Sequence, residues 1–186
     1  MSNLFYVIGA SGAGKDTLMN YARQTINGTC AVIFAHRYIT RLPDNGNENH
    51  IYLTPEEFRL RRDAGFFALH WESHGKYYGV GAELNNWLKE GFNVVVNGSR
   101  EYLPMAREIY PEIVVVLIEA SPETVALRLA SRGRESADEI ESRISRTQQI
   151  NTDLGNCIKI QNNHTVESAG DRLIRVISTE KETNNG

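Results

Sequence analysis

Residues 9–15 read Gly9-Ala10-Ser11-Gly12-Ala13-Gly14-Lys15, three glycines spread ahead of a lysine. Glycines let successive backbone N–H groups converge on one anion, and a lysine just beyond them can reach its outer charges. The next residues are Asp16 and Thr17. A hydroxyl is the usual magnesium ligand directly after such a lysine, but a carboxylate is also a hard oxygen ligand, either direct or through water. The plainer role for Asp16 is that of a first-turn acid favoured by the helix dipole. Together the chemistry is that of gripping and neutralising a polyphosphate, with Gly9, Ala10, Ser11, Gly12, Ala13, Gly14, Lys15, Asp16 and Thr17 as nucleotide contacts and Asp16 as the metal candidate.

Such a loop works only where it leaves a strand and opens a helix. Leu4 to Ile8 is a short apolar run ending in glycine, the pattern of a buried parallel strand, and Asp16 to Ile26 carries Leu18, Met19, Ala22 and Ile26 on one helical face. Further strands are expected at 31–34, 93–97, 113–118 and 157–161, and a strand pair at 66–74 and 76–80 turning at Gly75. Helices are expected at 82–90, 122–131, 137–150 and 166–177. Thr54-Pro55-Glu56-Glu57 is a helix start, with Thr54 as N-cap, Pro55 at the first helical position and Glu57 completing a capping box. Strands alternating with helices imply a parallel sheet covered on both faces.

The fold expected is therefore α/β of the P-loop NTPase type, a three-layer α/β/α arrangement with an inserted acceptor-binding region. Its core would span about 1–35 and 81–178 and the insertion about 36–80, with a polar tail at 179–186. The chain has 186 residues, 41% hydrophobic and 23% charged, with a net charge of −3. That balance suits one globular domain and argues against nucleic-acid or membrane-surface partners. Two cysteines, Cys30 and Cys157, make neither a metal cluster nor a disulfide framework. With no signal-peptide pattern at Met1–Gly9 and no membrane-length apolar run, the cytoplasm is the expected location. Composition leaves a homodimer open.

With the loop placed, the chain resembles guanylate kinases along most of its length. The matching pieces are Gly9 to Leu18, Thr40-Arg41, Thr54 to Phe58, Gly75-Lys76-Tyr77-Tyr78-Gly79 and Arg128 to Ser136. The resemblance implies ATP as co-substrate, Mg2+, and an acceptor phosphate held by Arg41 and Tyr78. The second arginine of that family falls on Asp44 and another tyrosine on His50. It also implies a helical lid at about 128–146, from which Arg132 and Arg143 close over the transferring phosphoryl group as catalytic residues beside Lys15. Where guanylate kinases carry a glutamate and a hydroxyl residue to pair with guanine, this chain has Leu69 and Val80. A purine edge without partners costs about 1–3 kcal/mol per group, enough to remove guanine selectivity. Leu69→Glu with Val80→Ser is accordingly expected to admit weak GMP phosphorylation.

The departures are similar to one group in particular. His36 to Arg41, Glu48-Asn49-His50, Phe67 to Trp71, Tyr78-Gly79-Val80, Val94 to Arg100 and Arg132 to Glu135 resemble the ribose 1,5-bisphosphate phosphokinases of phosphonate catabolism. The resemblance implies transfer of the ATP γ-phosphoryl to the 1-phosphate of a small sugar bisphosphate, giving 5-phosphoribosyl 1-diphosphate. Two anion sites are then needed, with Arg37, Arg41 and Arg100 as candidate ligands. Asn97 ends a buried strand, where open α/β sheets meet their ligands, and is a further candidate for substrate binding. A nucleoside monophosphate kinase of guanylate type and a non-catalytic guanylate-kinase-like binding module are the alternatives. His36, His50, His70 and His74 lack zinc-site spacing, with substrate contact open only to His36 and His50. Arg128, Arg134 and Arg146 divide between lid chemistry and a solvated helix face. Trp71 and Trp87 read as packing, and Asn162-Asn163 as a border of the adenine.

Overall fold

The computed structural model describes residues 2–42, 50–132 and 154–178. β1 (Leu4–Gly9) is apolar on both faces because it lies inside a parallel sheet. That sheet runs β2 (Val32–Phe34), β7 (Asn93–Asn97), β1, β8 (Val114–Glu119), β9 (Ile158–Gln161), every neighbouring pair parallel. Alternate residues of β1 feed opposite cores. Phe5 and Val7 pack with α1 (Lys15–Ile26) and the C-terminal helix α6 (Val166–Ile177), through Leu18, Ala22, Leu173 and Ile177. Leu4, Tyr6 and Ile8 face Leu84 of α3 (Glu83–Lys89) and Leu103 and Ala106 of α4 (Leu103–Ile109).

The same second core takes in Leu69, Trp71 and Val80 from a separate sheet, which ties the two sheets together. The second sheet runs β4 (His50–Tyr52), β3 (Arg37–Ile39), β6 (Lys76–Gly81), β5 (Phe67–Ser73). β5 and β6 form the expected hairpin. His74 and Gly75 both take positive φ, 50° and 67°, the backbone that suits a tight turn between twisted strands. α2 (Pro55–Asp63) stacks Phe58 on Phe67 and Tyr77 of this sheet, with ring centroids 4.6 and 5.4 Å apart. At its start the Thr54 side chain accepts from Glu57 N, while the Glu57 carboxylate is taken by Arg61 at 2.6 Å. The expected capping box is thus half formed in its side chains.

Two three-residue strands, β3 and β4, and the short helix α4 were not anticipated in the sequence. The expected helix at 137–150 and the tail at 179–186 lie outside the described residues, as do residues 43–49 of the expected insertion. Among the described residues no helix is long and apolar enough to cross a membrane.

Candidate active site

The loop begins where β1 meets β8. A Cβ on Gly9 would stand 2.8 Å from the Ile118 carbonyl oxygen, so glycine is what lets the strands stay paired as the chain turns away. Ala13 N donates to Ala10 O at 3.1 Å, closing a tight turn, and Gly12 and Gly14 take φ values of +84° and +87°. α1 then starts at Lys15 with no side chain capping it. An uncapped helix start with glycine-permitted backbone is what an anion needs.

Lys15 and Asp16 meet Asn97 at the carboxyl end of the sheet. Asn97 arrives there because β7 runs parallel to β1, with Val7 opposite Asn97. The Lys15 ammonium donates to Asp16 Oδ1 at 3.2 Å and also to Asn97 Oδ1, while Asn97 Nδ2 donates to Asp16 Oδ1 at 2.6 Å. Lys15 is largely covered, and the Asp16 side chain stays 43% exposed. Burial pushes the Asp16 carboxyl up, but the Lys15 and Arg37 charges and the two hydrogen bonds together hold it below the usual carboxylate range. An ionised, half-open carboxylate beside the phosphate-loop lysine fits a hard divalent cation.

Arg37 reaches this network from the second sheet. Its guanidinium lies 5.3 Å from the centroid of the Tyr78 ring, and its charge acts on both Asp16 and the Tyr6 hydroxyl. Tyr78 in turn stacks on Trp71, ring centroids 5.5 Å apart and nearly coplanar in tilt at 3°. Arg41 lies at the end of the same segment, where its carbonyl accepts from His50 Nε2 at 2.9 Å. Tyr6 supports the loop after β7: Ser99 N donates to its hydroxyl at 2.9 Å, and Gly98 leaves no room for a side chain against its ring. Burial raises the Tyr6 hydroxyl pKa far beyond the ordinary phenol, so it stays neutral. Arg100 follows directly, its guanidinium pKa lowered by partial burial and raised back in part by Glu101.

Lys15, Asp16, Asn97, Arg37 and Tyr78 are thus drawn to one edge where the two sheets meet. Leu69 and Val80 face each other across the β5–β6 ladder at 0% and 1% exposure, inside the shared core. His36 is exposed. Arg132 ends α5 (Pro122–Arg132); its side chain lies outside the described residues, as do Asp44, Arg134, Arg143 and Arg146. Trp71 is core, as expected. Tyr6 was missed in the sequence, where the one hydroxyl in an otherwise apolar strand was the available signal. Of the pair read as a border of the adenine, Asn162 Nδ2 donates to Ala13 O at 2.8 Å, and Asn163 Oδ1 accepts from Ser121 N at 2.7 Å. Arg128 joins Asn162 on the Ala13 carbonyl at 3.3 Å.

No protein-family model matches the chain. Among solved structures it is similar to a guanylate kinase from Anaplasma phagocytophilum, with a TM-score of 0.65 over 97% of this chain and 87% of that one, at 18% identity. The likeness shows a guanylate-kinase fold. Among curated proteins it is 51% identical to ribose 1,5-bisphosphate phosphokinase PhnN of Thiobacillus denitrificans, over 94% of this chain and 92% of the relative. The enzyme of the same name from Desulfomicrobium baculatum is 45% identical over 95% of both chains. That from Yersinia pestis is 39% identical over 96% of this chain and 92% of the relative. Identity at this level across nearly the whole of both chains means that the chain belongs to the ribose 1,5-bisphosphate phosphokinase family.

Proposed function

We propose that this kinase transfers the γ-phosphoryl group of ATP to the 1-phosphate of ribose 1,5-bisphosphate, forming 5-phosphoribosyl 1-diphosphate and ADP in the cytoplasm. The observation that carries the reading is the contrast between the two sides of the site. Arg37, Lys15 and Asp16 keep their charges together at the sheet edge, while Leu69 and Val80, where guanylate kinases read a base, are sealed into an apolar core. An acceptor with a phosphate and no base suits that contrast.

In the reaction a 1-phosphate oxygen attacks the γ-phosphorus, the bond from that phosphorus to the bridging oxygen breaks, and ADP leaves with the electron pair. A phosphate dianion is already a competent nucleophile, so the residues act by positioning and by charge. Lys15 would leave Asn97 and Asp16 to meet the β- and γ-phosphates. Arg37 and Arg41, with Tyr78, would hold one acceptor phosphate, and Arg100 the other. Arg132 and Arg143 would neutralise charge on the transferring group. Asp16 would hold Mg2+ directly or through its water. When bound, the ion supplies charge neutralisation between the β- and γ-phosphates. The β3–β6 region, with residues 36–80, would form the acceptor side, and residues 128–146 the lid.

The test is product analysis of the protein with ATP and ribose 1,5-bisphosphate, run beside ATP and GMP. Formation of 5-phosphoribosyl 1-diphosphate with one ADP per product, and little GDP, is expected. Faster GMP phosphorylation would overturn the reading in favour of a guanylate-type kinase. No turnover with either acceptor would favour a binding module.

A further inference from the structure

Asn162 is 2% exposed and sits just past the end of β9, where its backbone N donates to Glu119 O at 2.7 Å. It is therefore fixed to the sheet and not to a wandering loop. Its amide Nδ2 donates to the carbonyl of Ala13 at 2.8 Å. Arg128 Nη1 donates to the same carbonyl at 3.3 Å, and Arg128 Nη2 approaches Asn162 Oδ1 at 3.5 Å. Gly14, on the other side of that peptide, has φ of +87°, and a Cβ there would run into the Asn162 amide. Two elements distant in sequence thus converge on a single peptide of the phosphate loop.

In a trans peptide the C=O and N–H point in opposite directions. Holding the Ala13 carbonyl toward Asn162 therefore holds the Gly14 N–H away from it. In a glycine-rich loop each peptide can rotate at little steric cost, and a rotated peptide presents a carbonyl oxygen to the anion in place of an N–H. We propose that Asn162, assisted by Arg128, is a positioning residue that locks the Ala13–Gly14 peptide so that the Gly14 N–H serves the nucleotide's phosphates. An asparagine is suited to this because its Nδ2 donates to the carbonyl while its Oδ1 accepts from Arg128. The role acts on the phosphates and not on the base. It rests on the reading that this loop binds ATP, and it does not depend on the acceptor.

Asn162→Asp keeps the size and removes the donor, setting a carboxylate oxygen against the Ala13 carbonyl. Asn162→Ala removes the donor and adds no charge, so it remains informative if the aspartate variant fails to fold. Calorimetric titration without magnesium would compare ATP with inorganic tripolyphosphate, on wild type and both variants, beside thermal melting. Affinity for both ligands should fall together, by about tenfold or more for the aspartate variant and less for alanine. The Michaelis constant for the sugar bisphosphate should stay within about twofold. A loss for ATP with none for tripolyphosphate would return Asn162 to the adenine, and unchanged affinity for both would also overturn the proposal. If wild type binds ATP but does not phosphorylate ribose 1,5-bisphosphate, the functional reading fails while this test still stands.

Discussion

Asp16 stands one residue beyond the loop lysine, and its neighbours decide what it can do. Lys15 and Asn97 both donate to its Oδ1, and Arg37 adds a second cation nearby. A carboxylate required only for the helix dipole has no use for these partners, since a first-turn acid acts through the helix itself. Asp16→Ser should preserve the backbone cradle and keep Mg2+-free nucleotide binding, because a negative charge beside the phosphates is removed. It should raise the magnesium concentration needed for half-maximal activity several-fold and lower turnover, with partial recovery in manganese. If Asp16 is only a helix-start acid, the change costs about 0.3–1 kcal/mol of stability with no change in metal dependence. Superimposable magnesium titrations of the two proteins would remove Asp16 from the metal site. The residue types here were legible in the sequence, because Gly-rich spacing, a lysine and an acid are local signals. The Asn97 contacts were not, since they need β7 to pair with β1 some ninety residues away in register.

At the level of elements, the β5–β6 hairpin carries Leu69 and Val80 opposite each other. The sequence led to an expectation that Leu69→Glu with Val80→Ser would open weak GMP phosphorylation. The structure turns that expectation into one about stability. Both side chains lie on the buried face of the hairpin, packed with Trp71 and the β1 residues Tyr6 and Ile8. A glutamate there would be an unpaired charge in an apolar core, a change on the order of 4–5 kcal/mol. For a chain of this size that corresponds to a drop in melting temperature of about 10 °C or more. Calorimetry of the double variant should report that drop, with GMP turnover no higher than in wild type. An unchanged melting temperature with new GMP activity would mean that the hairpin opens to solvent. The hairpin was readable because Gly75 and the flanking aromatic residues are strong local signals. β3 and β4 were not, since three residues carry no period and their place is set by pairing, β3 with β6 and β4 with β3. α4 was missed for a related reason: it has seven residues, and of its apolar side chains only Leu103 and Ala106 are buried while Met105 and Ile109 are exposed.

Across the whole molecule, two sheets share one core, and Lys15, Asp16, Asn97, Arg37 and Tyr78 lie where their edges meet. The parallel sheet supplies the loop, Lys15, Asp16 and Asn97, while the second sheet supplies Arg37 and Tyr78, with Arg41 two residues past the end of β3. Arg37 has a foot on each side: its guanidinium lies over Tyr78, and its charge helps keep Asp16 ionised. If the second sheet is the acceptor side, removing that charge should weaken the acceptor far more than the nucleotide. Arg37→Gln keeps a polar side chain of similar reach and loses the cation. A charge-assisted contact to phosphate is worth about 1.5–3 kcal/mol, so the Michaelis constant for ribose 1,5-bisphosphate should rise on the order of tenfold or more. ATP affinity measured without acceptor should change by about twofold at most, because Lys15 and the loop backbone are untouched. The magnesium requirement is a useful third reading, since Asp16 loses one of its two neighbouring cations and should compete better for a metal ion. Equal losses for acceptor and nucleotide would instead make Arg37 part of the phosphate loop's own electrostatics. The acceptor site would then have to be sought around Arg41 and Arg100.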